Sequence, residues 1–411
     1  MEHVLGGNRQ ELQNKAEAVK NLYAGFVVPS YKRSLVLSHG QGMYVWDADG
    51  KRYLDMGGGI AVNSLGHSNP RIAETLAQQA GKLVHVSNLY YNEQQAILAQ
   101  RLVSHLAPGK MFFCNSGAEA NECQYKLARK VGNPKGRFEI VTALNSFHGR
   151  TLAGIAATGQ DKVRVGFEPT VSGFRHVPYN NLEAVRAAIT EQTAAVLIEG
   201  IQGEGGVTAA TPEYLVGLRK LTREHGILLL WDGVQCGYFR TGRFQSFQRI
   251  LEDSAISGAQ EFLPDAVAMA KSIGGGFPMG AVWIRDEFAD VFQPGSHGTT
   301  YGGTPLACAV ANCVLDEIEE KRLDENIRKQ GEYLISRLAS LVGSRGINAV
   351  RGMGGIVGLA LESDAAEAAT KLTQAGLLLV PATGNVLRFL PPLNMGKAHV
   401  DEALEIIEKT L

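Results

Sequence analysis

The sequence predicts an α/β protein with a mostly parallel central sheet in a large domain, plus a small α+β domain. Three observations carry this. Short, continuously apolar runs recur at 111–114, 139–143, 195–199, 227–232, 267–271 and 281–285, with helical stretches between them. Strands apolar along their whole length and spaced by helices belong to a sheet covered on both faces. From about residue 305 the pattern changes. A long helix is followed by strand-like 355–361, helical 364–374, strand-like 377–381 and 386–390, and helical 397–411. Finally, 411 residues exceed one ordinary domain of about 100–200 residues. The expected division is an N-terminal segment, 1–60, packing with the small domain; a large domain, 61–310; and the small domain, 311–411.

The chain opens with a predicted helix over 10–23. A ribbon follows: 34–39, a Gly40-Gln41-Gly42 turn, 43–47, an Asp49-Gly50 turn and 52–54. Asp-Gly between alternating apolar residues is a strong hairpin signal. Lys plus Arg is 40 and Asp plus Glu is 41, so no basic footprint for nucleic acid exists. No stretch approaches the roughly 20 apolar residues of a membrane span. The first 15 residues hold Glu2, Arg9, Glu11 and Lys15 and no apolar core, so no signal peptide is expected. Five scattered cysteines, none in a Cys-x-x-Cys pair, read as reduced thiols of a cytoplasmic protein. Ten histidines show no ligand spacing, so no metal is expected. Glycine is in excess, 48 residues, against about 7% in ordinary proteins. Much of it sits in clusters, where backbone could approach a ligand closely.

Ligands of open α/β sheets bind beyond the carboxyl ends of the strands, so the polar residues that end the apolar runs matter most. The run 111–114 leads into Asn115-Ser116-Gly117-Ala118-Glu119. Ser116 with Glu119 reads as a capping box. Gly117 and Ala118 leave N–H groups uncovered at a helix start, either a well-capped helix and no more or a cradle for phosphate. The run 227–232 ends in Asp232, an acid that must be paired, whether to cap the next loop or to face a cationic ligand atom. The run 267–271 ends in Lys271, followed by Gly274-Gly275-Gly276. A buried lysine is either ion-paired or a nucleophile of lowered pKa. No G-x-G-x-x-G follows a strand here, and no G-x-x-x-x-G-K-[ST] occurs. A phosphate cradle, an interior Asp and an interior Lys together suit pyridoxal 5'-phosphate, which needs a lysine, an acid opposite its ring nitrogen and a phosphate seat.

The chain resembles class III aminotransferases, the fold-type I pyridoxal-phosphate enzymes. The motifs run in order: Trp46 to Lys51, Gly66-His67, Asn115 to Ala120, Phe147-His148-Gly149-Arg150-Thr151, Gln202 to Gly206, Asp232 to Gln235, Lys271, Gly298 to Gly303 and Arg388-Phe389-Leu390-Pro391-Pro392. Within the class, Gly58 to Asn63 and Ser87 to Asn92 are most similar to the acetylornithine branch.

The resemblance implies roles. Lys271 would bond to the cofactor and then shuttle the substrate proton. Asp232 would keep the ring nitrogen protonated, and Gln235 would lie near the ring hydroxyl oxygen. Phe147 and Val234 would sandwich the ring. Ser116, Gly117 and Ala118 would seat the phosphate. Thr300 would reach the neighbouring subunit's phosphate, implying a homodimer with shared sites. Arg150 would hold the carboxylate distant from the reacting amine, and Arg388 the α-carboxylate of glutamate or 2-oxoglutarate. Glu204 would pair with Arg388 while an ω-amino donor is bound. Ile60 stands where ornithine-specific relatives have tyrosine, and Tyr31 would line the substrate.

These imply transfer of the ω-amino group of N-acetyl-L-ornithine to 2-oxoglutarate, a step of arginine biosynthesis. Succinylornithine, ornithine and 4-aminobutyrate are alternative donors, and a non-catalytic binding protein is the alternative of another class. The chain departs from the family pattern at Gly233 (usually Glu), Gly200 (usually Pro) and Asn69 (usually His), and it matches weakly at 31–34.

Overall fold

The computed structural model describes residues 9–411. A helix, Arg9–Phe26, leads into a ribbon of Leu37–Gln41, Tyr44–Asp47 and Arg52–Asp55. Asp47 closes the tight turn. Its Oδ1 accepts from the Asp49 and Lys51 amides at 3.0 and 2.9 Å, and its Oδ2 from the Tyr53 hydroxyl at 2.6 Å. The ribbon's last strand pairs in parallel with Leu377–Leu378, so residues far apart in the chain share one small sheet.

The central sheet has seven strands. In chain order they are β1 (Gly109–Cys114), β2 (Glu139–Ala143), β3 (Phe174–Val177), β4 (Thr193–Glu199), β5 (Leu228–Asp232), β6 (Ala266–Met269) and β7 (Gly280–Arg285). Their spatial order is β1-β7-β6-β5-β4-β2-β3, and β7 alone runs antiparallel to its neighbours. Every residue of β2, β4, β5 and β6 is buried, which is why they are mostly apolar, with Glu139, Thr142, Thr193, Glu199 and Asp232 as the polar members. Each fully buried Leu or Ile there contributes about 1.5–3 kcal/mol. Register sets Asp232 beside both Glu199 and Ala268. The sheet's carboxyl edge therefore carries two acids on adjacent strands.

Three features differ from expectation. β3 (Phe-Arg-His-Val) is a half-buried edge strand with no apolar run to betray it. The strand expected to end at Lys271 stops at Met269, and Lys271 begins a tight 3-10 turn with φ +50. The long helix after residue 305 is two helices, Pro305–Glu320 and Leu323–Ala339, broken where Arg322 turns left-handed at φ +49. The first of them packs on Pro70–Ala80 and Glu93–Ser104.

The C-terminal part is a four-stranded antiparallel sheet, Ile347–Met353, Ile356–Leu361, Val386–Phe389 and Val380–Ala382, covered by helices. Among the described residues no helix is long and apolar enough to cross a membrane, and all five cysteines are free and buried.

Candidate active site

A cavity of about 450 Å³ opens at the carboxyl edge of the central sheet. It collects side chains from the ends of β1, β4 and β5 and from the turn after β6.

At one end, helix Gly117–Gly132 starts directly after β1. The Ser116 hydroxyl accepts from the Glu119 amide at 3.2 Å. The other half of the expected capping box is shifted: the Glu119 carboxylate accepts from the backbone N–H and side-chain amide of Asn115, both at 2.9 Å. The Gly117 and Ala118 N–H groups have no acceptor among the described residues and line the cavity. A Cβ on Gly117 would lie 2.6 Å from Val234 Cγ1, so only glycine lets the backbone sit there. Free N–H groups at a helix start suit a phosphate.

Asp232 is buried, 3% exposed, at the end of β5. Its Oδ2 accepts from Asn121 Nδ2 at 2.7 Å and lies 2.8 Å from His148 Nδ1, which donates to it. Its Oδ1 accepts from the Val234 amide at 3.0 Å. These donors fix the carboxylate in the cavity wall. Neighbouring Glu199 accepts from the Phe147 amide at 3.2 Å. Burial, and next the Asp232 charge, push its pKa well up, which favours its neutral form.

Lys271 also lines the cavity, and its amine has no hydrogen-bond or ion-pair partner among the described residues. Burial, and next the Arg388 charge, lower its pKa to about 8. A lysine that is part neutral near physiological pH is a competent nucleophile. Phe147 and Val234 line the same space.

The two arginines differ. Arg150 is exposed at the mouth, its guanidinium 5.3 Å from the centre of the Phe147 ring. Arg388 is 1% exposed and sits behind Glu204. It forms an ion pair with Glu204, NH1 to Oε1 at 2.8 Å, and donates to Gln235 Oε1 at 3.0 Å. Gln235 therefore has its amide oxygen engaged and offers the cavity only its NH₂ group.

Four expected residues are not in the wall: Arg388, behind Glu204, and three others. Tyr31 is 75% exposed and away from the cavity. Ile60 is 43% exposed, in a left-handed conformation at φ +62, and Val62 takes the wall position. Thr300 is exposed, and it is Thr299 that accepts from Asn115 Nδ2 at 3.2 Å. His148, Asn121 and Glu199 are part of the wall that sequence reasoning did not single out. The signal for Asn121 is its spacing, one helical turn beyond Gly117. Glu199, like Asp232, ends an apolar run.

The departures at Gly233 and Gly200 have a packing reason. A Cβ at Gly233 would meet Gln245 Oε1 at 2.4 Å and the Ala268 carbonyl oxygen at 2.9 Å. At Gly200 it would meet Trp231 Cζ2 and Ser246 Oγ, both at 2.4 Å. Gln245, Ser246 and Trp231 fill the space that larger residues would need.

The donor set thus fits pyridoxal phosphate: free helix-start amides for the phosphate, a fixed carboxylate for the ring nitrogen and an unpartnered lysine. The family model of class-III aminotransferases matches residues 27–411. The acetylornithine aminotransferase of Gloeobacter violaceus is 46% identical over 397 residues, covering 95% of this chain and 96% of that protein. The acetylornithine aminotransferase of Elizabethkingia anophelis superposes with a TM-score of 0.82 at 32% identity, covering 96% of this chain and 98% of that one. A Toxoplasma gondii ornithine aminotransferase with partial occupancy of pyridoxal phosphate in its active site superposes at 0.89 with 28% identity, covering 98% and 97%. With a cavity built for that cofactor and relatedness over nearly the whole chain, the protein belongs to the class-III aminotransferases and works with pyridoxal 5'-phosphate.

Proposed function

We propose that this enzyme moves the ω-amino group of N-acetyl-L-ornithine to 2-oxoglutarate, yielding N-acetylglutamate semialdehyde and glutamate. One observation supports it above the rest: a free Arg150 at the mouth of the cavity and a deeper Arg388 capped by Glu204. N-Acetylornithine brings one carboxylate and 2-oxoglutarate brings two. With the donor, Arg150 holds the only carboxylate and Glu204 keeps Arg388 neutralised. With 2-oxoglutarate, Glu204 yields Arg388 to the second carboxylate. The acetyl group leaves the donor no charged α-amine, which suits a mouth where the Phe147 ring lies beside Arg150. A second reading takes free ornithine as donor, on the likeness to the Toxoplasma gondii enzyme.

The bound cofactor supplies an aldehyde to take up the amine and a ring to delocalise the electrons released at the substrate carbon. The chain supplies the rest. The Gly117 and Ala118 amides hold the phosphate. Asp232, held by Asn121 and His148, keeps a proton on the ring nitrogen. Phe147 and Val234, which line the cavity, would hold the ring. The Lys271 amine would take the proton from the substrate carbon bearing the nitrogen and, in the keto-acid half, return a proton to that carbon.

Replacing Arg150 with alanine should raise KM for N-acetylornithine and for 2-oxoglutarate alike, each by about 10- to 100-fold, the cost of a charged hydrogen-bond pair. Steady-state kinetics with each substrate varied checks this. A change in only one KM would contradict the placement.

The same reading extends to assembly. Exposed Tyr31, Ile60 and Thr300 would complete the neighbouring subunit's cavity in a homodimer, and cross-linking or light scattering tests that. Division of the chain at about 60 and 310 into N-terminal, large and small parts is part of the proposal, as is a cytoplasmic setting, which the free buried cysteines support.

A further inference from the structure

Arg240 is fully buried, 0% exposed, yet no carboxylate pairs with it among the described residues. Its guanidinium is surrounded by neutral oxygens. NH1 donates to the Pro391 carbonyl and, at 3.3 Å, to the Gly355 carbonyl, and NH2 lies 3.5 Å from Ser272 Oγ. Its Nε has no partner. Burial lowers its pKa to about 10. Burying an unpaired cation is expensive, and an apolar residue of like volume would stabilise the fold as well or better.

The backbone that delivers it is strained too. Tyr238 and Phe239, both aromatic and both buried, adopt φ +50 and +64. Such a conformation costs on the order of 1 kcal/mol or more per residue and persists only where its surroundings enforce it. The Gly355 amide donates back to the Arg240 carbonyl at 2.8 Å, locking the turn. Gly354, at φ +53, touches the same turn so closely that a Cβ would lie 2.7 Å from the Thr241 carbonyl carbon.

What Arg240 grips explains its cost. Pro391 lies three residues beyond Arg388, just past the strand Val386–Phe389. On that exit the Leu390 amide also donates to the Met56 carbonyl at 2.6 Å and the Leu393 amide to the Ser64 carbonyl at 2.7 Å. Ser272, next to Lys271, donates to the Ala61 carbonyl at 2.9 Å and accepts from the Ser64 hydroxyl, through its own carbonyl, at 3.0 Å. Arg240 thus joins the strand exit that carries Arg388 to the loops around Lys271.

We infer that Arg240 is a positioning residue for dicarboxylate recognition: by holding the chain at Pro391 it fixes Arg388 where the second carboxylate of 2-oxoglutarate must bind. The inference rests on the reading of Arg388 given above. Arg240 touches neither substrate nor cofactor and acts through the strand exit.

The test uses the holoenzyme with Arg240→Met, Arg240→Lys and, as a control, Arg388→Lys. KM is measured for each substrate, together with the inhibition constant of glutarate, a dicarboxylate that binds without reacting, and the thermal midpoint. Arg240→Met should raise KM for 2-oxoglutarate and the glutarate constant roughly tenfold, and KM for N-acetylornithine no more than about twofold. Arg240→Lys, which keeps the charge and one donor to Pro391, should recover part of the loss and serves where the methionine variant does not accumulate. A lower thermal midpoint with both KM values unchanged, or both raised together, would overturn the inference and leave Arg240 a stability residue. If Arg388→Lys raises KM for 2-oxoglutarate and the Arg240 variants do not, this inference alone fails. If Arg388→Lys does not raise it, the reading of Arg388 fails and this inference falls with it.

Discussion

Lys271→Ala should abolish turnover, by at least about 10⁴-fold, the scale expected for losing the proposed nucleophile and proton carrier. The variant should still bind pyridoxal phosphate through the proposed Gly117 and Ala118 seat, and the cofactor should leave on dialysis for want of a covalent bond. Absorbance spectra before and after dialysis, with a steady-state assay, check both parts. Residual transamination near the wild-type rate would remove Lys271 from its role. The same residue sets a pH dependence. Its pKa is lowered from the ordinary 10.5 to about 8, so the neutral amine predominates above pH 8 rather than only above 10.5. Capture of pyridoxal phosphate by cofactor-free protein therefore accelerates as pH rises through about 8 and then levels. A midpoint near 10 would show an amine that burial does not perturb.

Asp232→Asn is the second large effect. The substitution keeps the shape and removes the charge proposed to hold a proton on the ring nitrogen. It also spoils the hydrogen bonding, since Asp232 accepts from Asn121, His148 and the Val234 amide, and an amide cannot accept at both of its ends. We expect kcat to fall by about 10²–10⁴-fold, the range for losing a positioned acid–base partner. The thermal midpoint should move little if Asn121 and His148 reorient. A folded, cofactor-loaded Asp232→Asn enzyme within tenfold of wild type would place the essential charge elsewhere.

What could be read in the sequence follows from burial. The strands of the sheet's centre are buried on both faces, so each shows as an apolar run, and the polar residues ending those runs, Asp232 and Lys271, stand out. β3 and Ile347–Met353 are edge strands, half exposed, and their mixed sequences carry no such signal. Arg240 sits in a stretch, Tyr238 to Gly242, that reads as an ordinary loop. Its burial arises from Gly355 and Pro391, more than a hundred residues away, and no local pattern encodes that. Tyr31, Ile60 and Thr300 were reached through resemblance alone, and a single chain does not bring them to the cavity. The Glu204–Arg388 pair was also reached by resemblance, and here the fold does bring the two together, at 2.8 Å.

The most direct test of the central claim follows the absorbance of the cofactor bound to Lys271 after adding N-acetylornithine, ornithine or 4-aminobutyrate, with no keto acid present. The account predicts bleaching by all competent donors and the fastest by N-acetylornithine, with 2-oxoglutarate restoring the band. Fastest bleaching by ornithine or 4-aminobutyrate would contradict the donor assignment, and a protein that shows no such band after incubation with pyridoxal phosphate would contradict the account as a whole.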